Sequence, residues 1–104
     1  MPPPIPHLKP TPTSHQLQVH NKPFLLLGAE LQNSSMTSSR YMQPIWPKLK
    51  AANINTVLGN VTWEQLEPEE GRFDFGELDG VIKGAREHGL HLILLWFGSF
   101  KNGM

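Results

Sequence analysis

Three short apolar runs, starting at about residues 24, 54 and 91 and separated by helix-patterned stretches, constrain this chain more than any other feature. Phe24-Leu25-Leu26-Leu27 and Leu90-His91-Leu92-Ile93-Leu94-Leu95-Trp96-Phe97 are apolar with almost no alternation, as expected of strands covered on both faces. Ile54-Asn55-Thr56-Val57-Leu58 has the β-branched enrichment of a further short strand, closed by Gly59. Between the first two, Ile45, Leu49 and Ala52 fall at i, i+4 and i+7 and predict a helix to Ala52, with Asn53 as its stop. Pro44 suits a first helical position, whereas Pro47 requires that the regular helix begin near Trp46 or that its first turn be irregular. Between the second and third, Asp74 precedes Glu77 at capping-box spacing, Leu78, Val81, Ile82 and Ala85 form one apolar face, and Gly89 ends the helix. Strand, helix, strand, helix, strand, with intervals long enough for crossovers, predicts three parallel strands.

The flanks read differently. Residues 1–14 are rich in Pro, Thr and Ser and offer almost nothing to bury, which predicts a disordered, polyproline-like tail outside the fold. Gln16-Leu17-Gln18-Val19-His20 alternates like a half-buried strand, and Asn21-Lys22-Pro23 supplies turn chemistry, so a hairpin should feed the first buried strand. Residues 60–72 read as a long polar loop, and residues 98–103 open another. With nine basic and nine acidic residues the chain has no global field for nucleic acid. The charge is uneven, since eight acids and four bases fall after residue 50 and the acids crowd Glu64 to Asp79. No Cys is present, which excludes disulfides, thiolate nucleophiles and Cys-ligated zinc. The longest apolar stretch, Leu92–Phe97, is far short of the roughly 20 residues that cross a bilayer. His7, His15, His20, His88 and His91 lack metal-ligand spacing, so neither metal nor cofactor is expected. The first residues do not form a secretory signal, which makes a cytoplasmic location the default and a secreted one the reading if the true N-terminus lies upstream.

Two architectures share this element order: a doubly wound sheet and the first three units of a (β/α)8 barrel. In both, ligands meet the carboxyl ends of the strands. Those ends hold Glu30, Gln32 and Asn33, then Asn60, Trp63 and Glu64, then Trp96, Ser99 and Lys101. A dinucleotide fold carries a glycine-rich turn after its first strand; Gly28-Ala29-Glu30-Leu31-Gln32-Asn33 has one glycine and an acid that repels phosphate, and no P-loop occurs. Carboxylates, amides and indoles together suit sugars, whose hydroxyls need paired donors and acceptors and whose C–H faces pack on flat rings.

Trp63-Glu64-Gln65-Leu66-Glu67-Pro68-Glu69-Glu70-Gly71-Arg72-Phe73-Asp74-Phe75 resembles the W-x-x-x-E-P-x-x-G-x-F-D-F segment after the second barrel strand of β-galactosidases in glycoside hydrolase families 35 and 42. Phe24 to Leu31 with Asn33-Ser34-Ser35, Ile54-Asn55-Thr56-Val57, and Leu94 to Asn102 also resemble the first three strand ends of a microbial and fungal branch of these enzymes. The likeness covers roughly residues 16–104. It implies an α/β fold in the form of a partial TIM (β/α)8 barrel, with residues 15–104 as its N-terminal fragment: three βα units preceded by a hairpin strand and the Pro-rich tail.

The resemblance further implies hydrolysis of terminal β-galactosides with retention, by two glutamates about 5–5.5 Å apart. In this clan they follow the fourth and seventh strands, so neither is expected among these three, and the chain alone is expected to be inactive. The residues placed to touch a β-galactoside or oligosaccharide are Glu30, Asn60, Trp63, Glu64 and Trp96. Asn60-Val61-Thr62-Trp63 departs from the Tyr-x-Pro-Trp type sequence of the family, so the contact of that Tyr does not transfer. Glu67, Glu69 and Glu70 read as a structural turn shaped by Pro68 and Gly71, with Phe73 and Phe75 buried behind it. Two rival readings stand beside this one: a non-enzymatic carbohydrate-binding remnant or partner-completed half barrel, and a small doubly wound nucleotide-binding protein. Three strands without neighbours also predict self-association through an exposed barrel edge.

Overall fold

A computed structural model describes residues 4–32 and 34–98. The described residues form a mixed α/β structure with two three-stranded sheets, one antiparallel and one parallel. The antiparallel sheet comprises β1 (His7–Pro10), β2 (His15–Val19) and β3 (Lys22–Pro23), in that order. Its β2–β3 turn places His20 and Asn21 at φ 54° and 60°, the left-handed pair that a two-residue hairpin requires. The predicted hairpin is therefore present, with its bend one residue earlier than the Asn-Lys-Pro reading.

β1 departs from the reading of residues 1–14 as a disordered tail. His7–Pro10 pairs antiparallel with His15–Gln18, and the connection is closed by Thr11 N–H donating to the Ser14 carbonyl at 2.7 Å. Proline is tolerated because β1 is an edge strand, where a missing donor on the open side removes no ladder bond.

The parallel sheet runs β4 (Gly28–Glu30), β5 (Thr56–Thr62), β6 (His91–Phe97), with β5 in the centre. Three parallel strands were expected, but two of them sit further along the chain. Phe24–Leu27 is not a strand, and Leu25 is 76% exposed. Asn55 replaces the ladder there: its Oδ1 accepts Leu27 N–H at 2.9 Å, and its Nδ2 donates to the Leu25 carbonyl at 2.8 Å. Regular pairing begins only at Gly28, opposite Thr56. β5 likewise continues through Gly59 to Thr62, taking Asn60–Thr62 out of the predicted loop, and residues 63–66 form a helical turn, α3 (Trp63–Leu66).

The helical layer contains a 3-10 turn at Ser35–Thr37, then α1 (Ser39–Met42), α2 (Ile45–Ala51) and α4 (Gly76–Glu87). In α2, Pro47 occupies the third helical position, where the amide is one of the four that have no intrahelical partner, so its missing N–H breaks nothing. Asn53 and Gly89 take φ 63° and 68° just past the ends of α2 and α4, as their stop signals predict. The Asp74–Glu77 capping box does not form. Asp74 Oδ1 accepts from Gly76 N–H, whereas Glu77 reaches across to accept Ser39 N–H at 2.8 Å and so caps α1. That backbone bond is the main reason the Glu77 carboxyl lies below its ordinary pKa.

The core lies between β5 and the helices: Met36, Met42, Trp46, Val57, Val81, Ala85 and Leu90, with Ile45, Leu49 and Leu92 packed against it. Close approach depends on glycines. A Cβ on Gly84 would stand 2.5 Å from Trp46 Nε1, and one on Gly80 2.8 Å from Ser39 Cβ, so two glycines one turn apart on α4 let α1 and α2 settle on it. Phe73 and Phe75 contradict their expected burial. Both are exposed, with parallel rings whose centroids are 6.4 Å apart.

Candidate functional site at the strand ends

The register of the parallel sheet decides which predicted residues share a face. Glu30 is level with Leu58, Asn60 with Leu95, and Val61 with Trp96. Side chains alternate along a strand and paired residues point the same way, so Glu30, Leu58, Asn60, Thr62 and Phe97 occupy one face of the sheet. Val57, Gly59, Val61 and Trp96 occupy the other. Val57 is in the helical core and Gly59 abuts Met36, so this second face is the helix side. Glu30 and Asn60 are thus brought together on the face away from the helices, Glu30 exposed and Asn60 buried. Trp63 and Glu64 follow at the carboxyl end of β5, both exposed, in the first turn of α3. Trp96, though 58% exposed, belongs to the opposite face and does not join them. Asn33, Ser99 and Lys101 lie outside the described residues.

Trp63 is held rather than free. Its indole Nε1–H donates to Glu67 Oε1 at 2.7 Å, while Glu67 Oε2 accepts Gly71 N–H at the same distance. The spacing explains the first contact, since residues four apart meet on one helical face. The second depends on the turn at Glu69–Arg72, where Arg72 N–H donates to the Glu69 carbonyl and Gly71 takes φ 80°. That conformation belongs to glycine at the third position of a type II turn. Indole and backbone N–H, in that order, stabilise the carboxylate and hold Glu67 below the usual glutamate range. Trp63 as a whole remains 53% exposed.

Thr62 was missed by sequence reasoning, which placed it in a loop. It is buried at the end of β5, and its Oγ1 has no hydrogen-bond partner among the described residues. A buried hydroxyl without a partner costs about 1–3 kcal/mol, so a same-shaped apolar group should be better tolerated there. Thr62→Val is expected to stabilise the chain by about 1 kcal/mol. Urea unfolding of the two proteins checks this: the midpoint should rise with an unchanged slope, and a fall would show that the hydroxyl is satisfied in solution.

Residues 33–96 match the sequence model of the glycoside hydrolase 42 family, described as β-galactosidase. The chain is 46% identical over 74 residues to the human β-galactosidase-1-like protein 3, a match covering 68% of this chain and 11% of that protein. It is 32% identical over 76 residues to a β-galactosidase of Xanthomonas manihotis, covering 70% of this chain and 12% of the relative. A third similarity, 42% over 50 residues, is to the human β-galactosidase-1-like protein 2 and covers 45% of this chain. The chain therefore spans about a tenth of the length of these relatives. The match runs through the Trp63–Phe75 segment and all of β5, the elements that build the strand-end site. On that similarity, this chain belongs to the β-galactosidase family of glycoside hydrolases.

Proposed function

We propose that this chain supplies part of the substrate cleft of a retaining β-galactosidase-like hydrolase, built on the first strands of a (β/α)8 barrel, and that by itself it binds but does not cleave a galactoside. The observation carrying this reading is the Trp63–Phe75 segment, which follows the central parallel strand directly and lies within the family match. The sheet order β4-β5-β6 follows chain order with no reversal, as in an arc of a barrel. In the cleft, Glu30 and Asn60 offer acceptors and donors to sugar hydroxyls, Trp63 offers a flat face to sugar C–H groups, and Glu64 accepts at the rim.

Chemistry argues against Glu67 and Glu77 as the acid of such a reaction. Retention needs a general acid whose pKa is raised and a carboxylate nucleophile facing it. Glu67 and Glu77 move the opposite way, and each is occupied by hydrogen bonds to its neighbours. Incubating the 104-residue chain with a chromogenic β-galactoside is expected to give no turnover above a buffer blank. Nuclear magnetic resonance with methyl β-galactoside is expected to perturb the Trp63 indole signal. Turnover by the pure chain overturns the division of labour proposed here, and an unperturbed indole overturns the cleft.

A further inference from the structure

We infer that Glu67 is a positioning residue, a buckle that fastens the Trp63 indole to the Glu69–Arg72 turn so that one ring face is presented in a fixed orientation to the sugar. The inference rests on the galactoside reading for its ligand but on separate observations for its mechanics. One carboxylate accepts from two donors of different origin, a side-chain indole and the backbone of a left-handed glycine, each at 2.7 Å. Glu67 N–H also donates to the Trp63 carbonyl at 2.9 Å, so backbone and side chain join the same two residues. Farther along, Asp74 N–H donates to the Leu66 carbonyl at 2.8 Å and ties the far end of the turn back to α3. With about half of Trp63 exposed, packing fixes its ring only in part, and the hydrogen bond supplies a further constraint.

The Trp, Glu and Gly of the W-x-x-x-E-P-x-x-G pattern thereby acquire one shared physical role. A glutamine could not replace the glutamate fully, because its single carbonyl oxygen can serve one of the two donors while its NH2 opposes the other. The arrangement also makes ring orientation depend on acid. The charged groups on the two elements that the buckle joins are Glu64 on α3 and Glu69, Glu70 and Arg72 on the turn, of which Glu69 and Arg72 pair with each other at 3.5 Å. The two donors favour the ionised form of Glu67, so the buckle is closed at neutral pH and opens only as pH falls below the ordinary glutamate range.

The test follows the indole Nε1–H resonances of the 104-residue chain, with Trp63 assigned by the signal lost in Trp63→Phe. In the unmodified protein the Trp63 signal should move in one step on acidification, below the ordinary glutamate range. Glu67→Ala should abolish that step and speed exchange of the indole proton with water roughly tenfold; Glu67→Gln should abolish the step but retain part of the protection. The unmodified chain needs no variant to fold, so a Trp63 indole that does not respond to pH while the backbone spectrum stays dispersed overturns the buckle. Methyl β-galactoside then separates the two readings. If the sugar moves the Trp63 signal about tenfold less readily in Glu67→Ala, the positioning role is supported. Equal response in both proteins overturns it. No response in the unmodified chain overturns the galactoside reading and with it the presentation to sugar, while the pH step still decides whether the buckle exists.

Discussion

Trp46→Ala is expected to remove about 3–5 kcal/mol of stability, the range for emptying a large aromatic site in a core that relaxes only partly. Domains of this kind have roughly 5–15 kcal/mol in total, so the loss takes a large share of what holds the helical layer to the sheet. Trp46 is 1% exposed and is the bulkiest fully buried side chain described. Its indole edge fills the space that Gly84 leaves on α4, and it joins α2 to a core otherwise made of Met36, Met42, Val57, Val81, Ala85 and Leu90. The measurement is urea unfolding followed by circular dichroism, with a sharp fall in midpoint or loss of the cooperative transition as the expected result. The contact with Gly84 supplies an internal check. Gly84→Ala should destabilise the parent protein by about 1–3 kcal/mol through overpacking. In the Trp46→Ala background the methyl has room and alanine is the better helix former, so the same change should be neutral or favourable. Equal costs in both backgrounds would show that the indole does not occupy that space in solution.

Periodicity made the parallel core legible, because burial of one helix face and of whole strands leaves its trace in every residue of the element. Val81 and Ala85 were placed correctly by spacing alone, as were the stops at Asn53 and Gly89. Proline content misled for β1, since composition registers the missing amide but not whether a strand lies at an edge where the amide is unused. Phe24–Leu27 misled for a different reason. An apolar run predicts that something covers it, and says nothing about whether the cover lies within the same hundred residues; here Leu25, Leu26 and Leu27 are exposed in a chain about a tenth as long as its relatives. Ile93, Leu94 and Trp96 on the edge strand β6 are exposed as well. In the candidate site, residue type and nearness to a strand end singled out Glu30, Asn60, Trp63 and Glu64, and the register then puts Glu30 and Asn60 on one face of the sheet. Trp96 could not be sorted from them without the register, because one residue of shift moves a side chain to the other face. The Trp63–Glu67 contact had a visible signal in its spacing of four, but Gly71 and its amide did not, since the partner depends on the turn.

The central strand makes the second strong prediction, and two opposed effects meet in it. Gly59 lies inside β5, where glycine is a poor strand former and alanine should gain roughly 0.5–1 kcal/mol through the unfolded chain. Against that gain stands Met36, 3% exposed, whose sulfur occupies the space a Cβ on Gly59 would need. Methionine is flexible, yet Met36 is buried in the 3-10 turn, which packs against α1, α4 and β5, and β5 is held along its whole length by β6 and over Thr56–Leu58 by β4 as well. Displacing either group costs about 1–3 kcal/mol, and an added Cβ that meets three atoms of the Met36 side chain lies toward the upper end. Overpacking wins, and Gly59→Ala is expected to destabilise the chain by about 2 kcal/mol. Shortening the obstructing side chain reverses the balance. Met36→Ala opens a cavity and is costly alone, at about 2–5 kcal/mol, but within that background Gly59→Ala refills part of the space and should stabilise. The sign change between backgrounds, read from four unfolding midpoints, distinguishes a steric conflict at this one contact from a general weakness of β5; a cost that stays the same in both would remove Met36 as its cause.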